Sequence, residues 1–268
     1  MEGIALNLRE KRSRYKKMSE PLKIIFGVLS TYERNGWHHP SITQFFADLP
    51  FQTGYAFRMV PVNNFQPAAA GRNVFCRNFK EADADWIALI DNDMHIPSNL
   101  IETVKDAPAD AGIVVPVFYL WDQTKNNLTL CWGVEKEPEK LGKVGHFTPG
   151  FHELNKCGTG TIFIRPKVFR EMAYPYFKYL YDADQGMAGT EDIQFCIKAR
   201  EMGVKIYGNT RVKVGHYHSV ELSSLWGWAE KMYTSQDSLD KNSGNGANSE
   251  AKEECPSSGT MAIPIAAG

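Results

Sequence analysis

The sequence predicts a single α/β domain built on a mixed, mainly parallel sheet flanked by helices, and three observations carry that prediction. Short apolar runs alternate with helix-like segments from Leu22 to Phe118, the rhythm of βαβ units. Trp86-Ile87-Ala88-Leu89-Ile90 is an unbroken apolar run, partly β-branched, and reads as a strand buried on both faces. That run ends in Asp91-Asn92-Asp93, two carboxylates separated by one residue. In open α/β sheets, ligands collect at such carboxyl ends of strands.

Taken in order, residues 1–20 are polar and mostly basic and are expected as a solvated lead-in. Leu22–Leu29 reads as the first strand, followed by a polar loop, Ser30 to Gly36. A helix is expected from Ser41 to Leu49, a second strand over Tyr55–Val62, and a helix over Ala70–Asp83 with Arg72 and Arg77 near its start. Beyond the central strand, Pro97-Ser98 reads as a helix start, with Ser98 capping Asn99–Ala107. Gly112–Phe118 is a further strand. After residue 120 the rhythm changes: Thr129–Val134 and Thr161–Arg165 read as strands open to antiparallel pairing. Ile193–Met202 is an amphipathic helix closed by Gly203, with a strand over Val204–Tyr207. Trp226, Trp228 and Tyr233 are most simply the apolar face of a last helix, with a sugar- or base-stacking platform as the sharper reading. From Ser235 the composition collapses into Ser, Asn, Gly, Glu and Lys, so the domain is expected over 21–234 and a disordered tail over 235–268.

Composition narrows the function class. Of 268 residues, 43% are hydrophobic and 12% aromatic, enough for a substantial core. A formal net charge of −1 argues against a chain-wide electrostatic affinity for nucleic acid. The five cysteines form no C-x-x-C pair, so they suggest neither a zinc knuckle nor a disulfide framework, but small buried residues in a reducing compartment. The first 20 residues hold no apolar core long enough for a signal peptide, and the run from Gly112 to Trp121 is interrupted by Pro116. A soluble, cytoplasmic protein without stable membrane insertion is the expectation.

Four constellations carry candidate chemistry. Asp91 and Asp93 offer hard oxygen ligands to a divalent cation that can in turn hold a diphosphate; the bland alternative is a turn-and-cap role. Phosphatases of the haloacid-dehalogenase type also place D-x-D after an apolar strand. They need a threonine two residues further on, however, and Met94-His95-Ile96 stands here. Cys157-Gly158-Thr159-Gly160-Thr161 either lets backbone approach a ligand or makes a tight turn before a strand. Gly189-Thr190-Glu191-Asp192 precedes the amphipathic helix; Thr190 suits an N-cap and the acids suit the helix dipole, but a carboxylate there is also placed to accept a proton. Val214-Gly215-His216-Tyr217-His218 ends a strand-like run, where a histidine is either packed or a ligand. Neither a P-loop nor a dinucleotide fingerprint is present.

In this order the four pieces resemble the GT-A glycosyltransferases, a Rossmann-like fold, and especially the family-2-like enzymes of bacteria and phages. The resemblance runs from Leu22 to Tyr233 through KIIFGVLSTYERNG, AGRNVFCRNFKEADADWIALIDNDMHIPSNLI, CGTGTIFIRPKVF and GTEDIQFCIKAREMGVKIYGNTRVKVGH. It implies a nucleoside diphosphate sugar donor, most often carrying uridine, and a hydroxyl acceptor. Asp93, with Asp91 partly through water, would hold Mn²⁺ or Mg²⁺, and His216 would be a further ligand. Asp192 would be the base in an inverting reaction, with Glu191 the close alternative. Ser30, Thr31, Glu33 and Arg72 would contact nucleotide or phosphate beside Asp91 and Asn92, and Gly158 and Gly160 would line the acceptor side. The acidic residue that usually contacts the base after the second strand has no counterpart; Val62-Asn63-Asn64 stands there. The acceptor class stays open among carbohydrate, metabolite, protein and a hydroxymethylated DNA base. The alternative outside enzymes is a non-catalytic sugar-nucleotide-binding module.

Overall fold

A computed structural model describes residues 21–30, 38–52, 54–63, 67–122, 127–133, 148–184 and 186–217. The expected lead-in 1–20, the tail 235–268 and the cluster Trp226, Trp228 and Tyr233 lie outside the described residues, as do Thr31, Glu33, His218 and Cys255.

In chain order the strands are β1 (Leu22–Ser30), β2 (Tyr55–Asn63), β3 (Trp86–Asp91), β4 (Met94–His95), β5 (Ala111–Val117), β6 (Tyr119–Asp122), β7 (Asn127–Leu130), β8 (Trp132–Gly133), β9 (Phe151–Leu154), β10 (Lys156–Cys157), β11 (Thr161–Ile164), β12 (Leu180–Asp182), β13 (Gly186–Gly189), β14 (Lys205–Lys213) and β15 (Gly215–His216). The α-helices are α1 (Pro40–Asp48), α2 (Ala68–Phe79), α3 (Pro166–Glu171) and α4 (Glu191–Glu201). Seven strands make the central sheet in the order β2-β1-β3-β11-β5-β14-β9. β1 pairs in parallel with β2 and β3, and β5 with β14, whereas β11 runs antiparallel to β3 and β5, and β9 to β14. Five strands therefore point one way and β11 and β9 the other. This is the mixed, mainly parallel sheet that the sequence predicts.

Alternation along each strand divides the core between the two faces of the sheet. Ile25, Leu29, Ile87, Leu89, Ile113 and Val115 pack with Phe75 and Cys76 of α2 and Phe195 and Cys196 of α4. Ile24, Phe26, Val28, Trp86, Ala88 and Ile90 pack with Ile42 and Phe45 of α1 and with Leu100 and Ile101. Residues 86–90 are at most 1% exposed, which is why that run carries no polar side chain. The cysteines at 76, 131, 157 and 196 are unbridged, and three of them are buried. No helix among the described residues is long and apolar enough to cross a membrane.

Three expectations change. The segment 99–107 is not a helix capped by Ser98 but a short 3-10 turn, Leu100–Thr103, without a side-chain cap. Leu100, Ile101, Thr103 and Val104 are all buried, more than one face of so short a helix can offer. Asn209 of β14 also donates to the carbonyls of Glu102 and Thr103 at 3.0 and 3.2 Å, taking acceptors that a continuing helix would use. The run Thr129–Val134 is split into β7 and β8, and α2 ends at Phe79 rather than running to Asp83.

β14 carries a close approach that only glycine permits. A Cβ on Gly208 would stand 2.5 Å from Cζ2 of Trp132, whose indole nitrogen donates to the Pro116 carbonyl at 3.1 Å. The ring cannot retreat without losing that bond. Gly208→Ala is therefore expected to destabilise the fold by about 1–3 kcal/mol, read as a lower urea midpoint at unchanged slope.

Candidate active site

The carboxyl end of β3 is where the sequence motifs converge. Leu29 stands opposite Asp91 in the β1–β3 register, so Ser30 lies one step beyond it at the same end of the sheet. Because β11 runs the other way, its amino end comes to that edge too: Thr161 pairs with Ile90, and the Asp91 N–H donates to the Gly160 carbonyl at 2.8 Å.

Asp91 points to the face covered by α2, where Arg72 meets it. Nη2 of Arg72 donates to both carboxylate oxygens of Asp91, at 2.7 and 2.8 Å. Nη1 donates to Oε1 of Glu191, the first residue of α4, at 2.5 Å. Arg72 is 2% exposed and Glu191 8%. Burial by itself would lower the Arg72 pKa, but Asp91 and Glu191 outweigh it and raise it, so the guanidinium stays charged. Burial, joined by Asp93 and Glu191, pushes the Asp91 carboxyl up to about 6 against the pull of Arg72. One buried guanidinium thus faces more negative charge than it neutralises.

Asp93 lies on the other side of the turn. The two residues after it form β4, which pairs antiparallel with β15, His216 opposite Met94. That pairing brings Nε2 of His216 to 3.5 Å from Oδ2 of Asp93, both side chains 18% exposed. The turn is held from outside as well: the His39 N–H donates to the Asn92 carbonyl at 2.7 Å, and the Tyr217 N–H to the Asp93 carbonyl at 2.8 Å. A Cβ on Gly215 would come 2.9 Å from the His95 Cβ, so the glycine before His216 allows β15 to lie against β4.

Asp192 follows Glu191 at the start of α4. Its Oδ1 accepts from the Thr190 hydroxyl and from the Ile193 N–H at 2.8 Å, while Oδ2 has no hydrogen-bond partner among the described residues. Thr190 occupies the N-cap position as expected, but its hydroxyl serves Asp192 rather than the helix backbone. Asp192 is partly exposed, unlike Glu191.

The remaining expected residues fall as follows. Ser30 is buried at the end of β1, and its hydroxyl has no partner among the described residues. Asn92 is buried within the turn. Gly158 and Gly160 make room for protein: added Cβ atoms would stand 3.0 Å from Phe118 and 2.9 Å from the Met94 sulfur. Tyr179, which the sequence did not single out, lies against Glu191; burial and then that carboxylate push its phenol up to about 12. The sequence gives no sign of His39 either, and Tyr217 stands in its motif without a role of its own, since their backbone bonds to the turn leave no trace in a residue pattern.

No protein-family model matches the sequence, and no curated protein matches it. Among solved structures, A197 from STIV is 17% identical over 74% of this chain and 87% of that one, with a TM-score of 0.50. That likeness shows a shared fold. A mutant Drosophila β1,4-galactosyltransferase 7 complexed with manganese, UDP-Gal and xylobiose is 17% identical over 74% of this chain and 71% of its own, at a TM-score of 0.42. GalNAc-T7 with UDP, GalNAc and Mn²⁺ is 10% identical over 76% of this chain and 45% of its own, at 0.43.

Proposed function

We propose that this chain is a metal-dependent glycosyltransferase of the GT-A type, nearest in its motifs to the family-2-like enzymes. It would move a sugar from a nucleoside diphosphate sugar, with uridine the expected base, to a hydroxyl acceptor. The observation that carries this reading is the arrangement at the end of β3. Asp93 is paired with His216 on one side of the turn, Asp91 is held by Arg72 on the other, and the Asp192 carboxylate stands at the start of α4.

The residues fit a divalent cation shared with a ligand. Among the described residues no group of three or more His, Cys, Asp or Glu side chains forms a closed metal cage. A carboxylate oxygen and an imidazole nitrogen 3.5 Å apart suit Mn²⁺ or Mg²⁺ that takes its other oxygens from diphosphate and water. Asp93 and His216 would hold the ion directly and Asp91 through water, since both Asp91 oxygens already accept from Arg72. When bound, the cation stabilises negative charge on the departing diphosphate. Ser30, with Thr31 and Glu33 beyond it, is assigned to the nucleotide.

Asp192 is assigned as the base. Oδ2 would accept the acceptor hydroxyl proton as that oxygen attacks the anomeric carbon and the bond to diphosphate breaks. Glu191 is a poorer candidate, being buried and tied to Arg72.

Thermal unfolding with a panel of nucleoside diphosphates, with and without Mn²⁺, tests this reading. A nucleotide at 100 times its dissociation constant should stabilise the fold by about 2.7 kcal/mol, a rise in Tm of about 5–10 °C for a chain of this size. The shift should require Mn²⁺. No shift with any nucleotide would overturn the reading and leave only the fold.

A further inference from the structure

We propose that Arg72 and Glu191 are positioning residues that couple the acidic motif at the start of α4 to the cation-binding turn after β3. The inference rests on the donor reading above and gives Arg72, expected from the sequence to contact nucleotide or phosphate, a role through the two carboxylates that its terminal nitrogens meet.

Three features of the packing support it. Arg72 is almost wholly buried, and its two terminal nitrogens are spent on carboxylates from opposite sides, Asp91 and Glu191. A guanidinium is a rigid planar fork, so it transmits displacement of one carboxylate to the other. The next residue, Asn73, fixes the segment leading to the acidic motif. Its side chain donates to the Phe177 carbonyl at 2.7 Å and accepts from the N–H groups of Tyr176 and Phe177 at 2.8 and 2.9 Å. Phe177 in turn stacks on Phe195 of α4, with ring centroids 4.3 Å apart. One turn of α2 thus holds Asp91, Glu191 and the approach to α4 in a single unit. Asp93, two residues beyond Asp91, inherits its position from that unit, and so does Asp192, one residue beyond Glu191.

Glu191 on the acidic motif should therefore set the affinity of the cation turn. In Glu191→Gln, the Mn²⁺ concentration giving half of the nucleotide-dependent thermal shift is expected to rise about tenfold or more, the effect of losing a residue that orients metal ligands. Arg72→Lys, which keeps the charge but not the fork, should do the same and covers the case in which Glu191→Gln does not fold. The double variant should be little worse than either single one, because both break the same unit. If Glu191→Gln abolishes turnover with an unmoved Mn²⁺ midpoint, Glu191 is the base and the proposal fails. If both variants only lower the unliganded Tm, the pair is structural and the proposal also fails. A wild-type protein without any nucleotide shift overturns the donor reading itself, and the coupling with it; a shift in wild type that the variants leave unmoved overturns the coupling alone.

Discussion

In Asp93→Ala, the Mn²⁺-dependent nucleotide shift is expected to disappear and sugar transfer to fall by about 10³-fold. The size of the effect follows from the few donors at this site. Among the described residues Asp93 and His216 face each other across the turn, so removing the carboxylate leaves one imidazole to hold the ion directly, with Asp91 reaching it through water. The same substitution should not unfold the protein. Asp93 adds to the negative charge that pushes the Asp91 carboxyl up, and deleting it relieves that repulsion. Its backbone carbonyl still accepts from Tyr217, so the turn stays closed. The checks are titration of the thermal shift with Mn²⁺, and a Tm without ligand that is equal to or above that of the wild type. A nucleotide shift retained without Asp93 would remove this residue from the cation site.

Asp192→Asn is expected to lower kcat by about 10²–10⁴-fold, the usual range for loss of a general base, while leaving the nucleotide shift in place. Asparagine keeps the shape of the side chain and the oxygen that accepts from Thr190 and Ile193, so the start of α4 should hold. What it lacks is a basic oxygen at the position of Oδ2. Steady-state kinetics should show kcat and kcat/KM for the acceptor falling together, the mark of an interaction made only in the transition state. Full turnover in Asp192→Asn would exclude it as the base. This outcome and that of Asp93→Ala separate the two halves of the site, since one variant should bind without reacting and the other should do neither.

Much of the architecture is legible in the residues because its causes are local. A short, partly β-branched apolar run reads as a strand covered on both faces, so Trp86–Ile90 points to the centre of the sheet and to the edge at which Asp91 and Asp93 emerge. Gly203, with φ of 77°, ends α4 where the pattern places it. The turn at 100–103 was misread because its cause is remote: burial of four neighbouring side chains and the amide of Asn209 decide against a helix. The glycines at 158 and 160 read either as places for a ligand to approach or as a tight turn before a strand, and the atoms close to them belong to Phe118 and Met94. A glycine reports that something comes near, not what.

The sequence by itself determined the fold class, the strand from which the carboxylates emerge, and the chemical types gathered in its motifs. Those rest on periodicity and on side-chain chemistry, both written residue by residue. Tertiary structure alone decided how the motifs share their work. Antiparallel pairing of β15 with β4 sets His216 beside Asp93, and a guanidinium from α2 binds Asp91 and Glu191 in one buried unit, leaving Asp192 the less encumbered of two adjacent acids. The physical reason is that a charge finds its partner through space: the low dielectric of the interior makes Arg72 choose the carboxylates that folding brings to it, and no spacing along the chain records that choice.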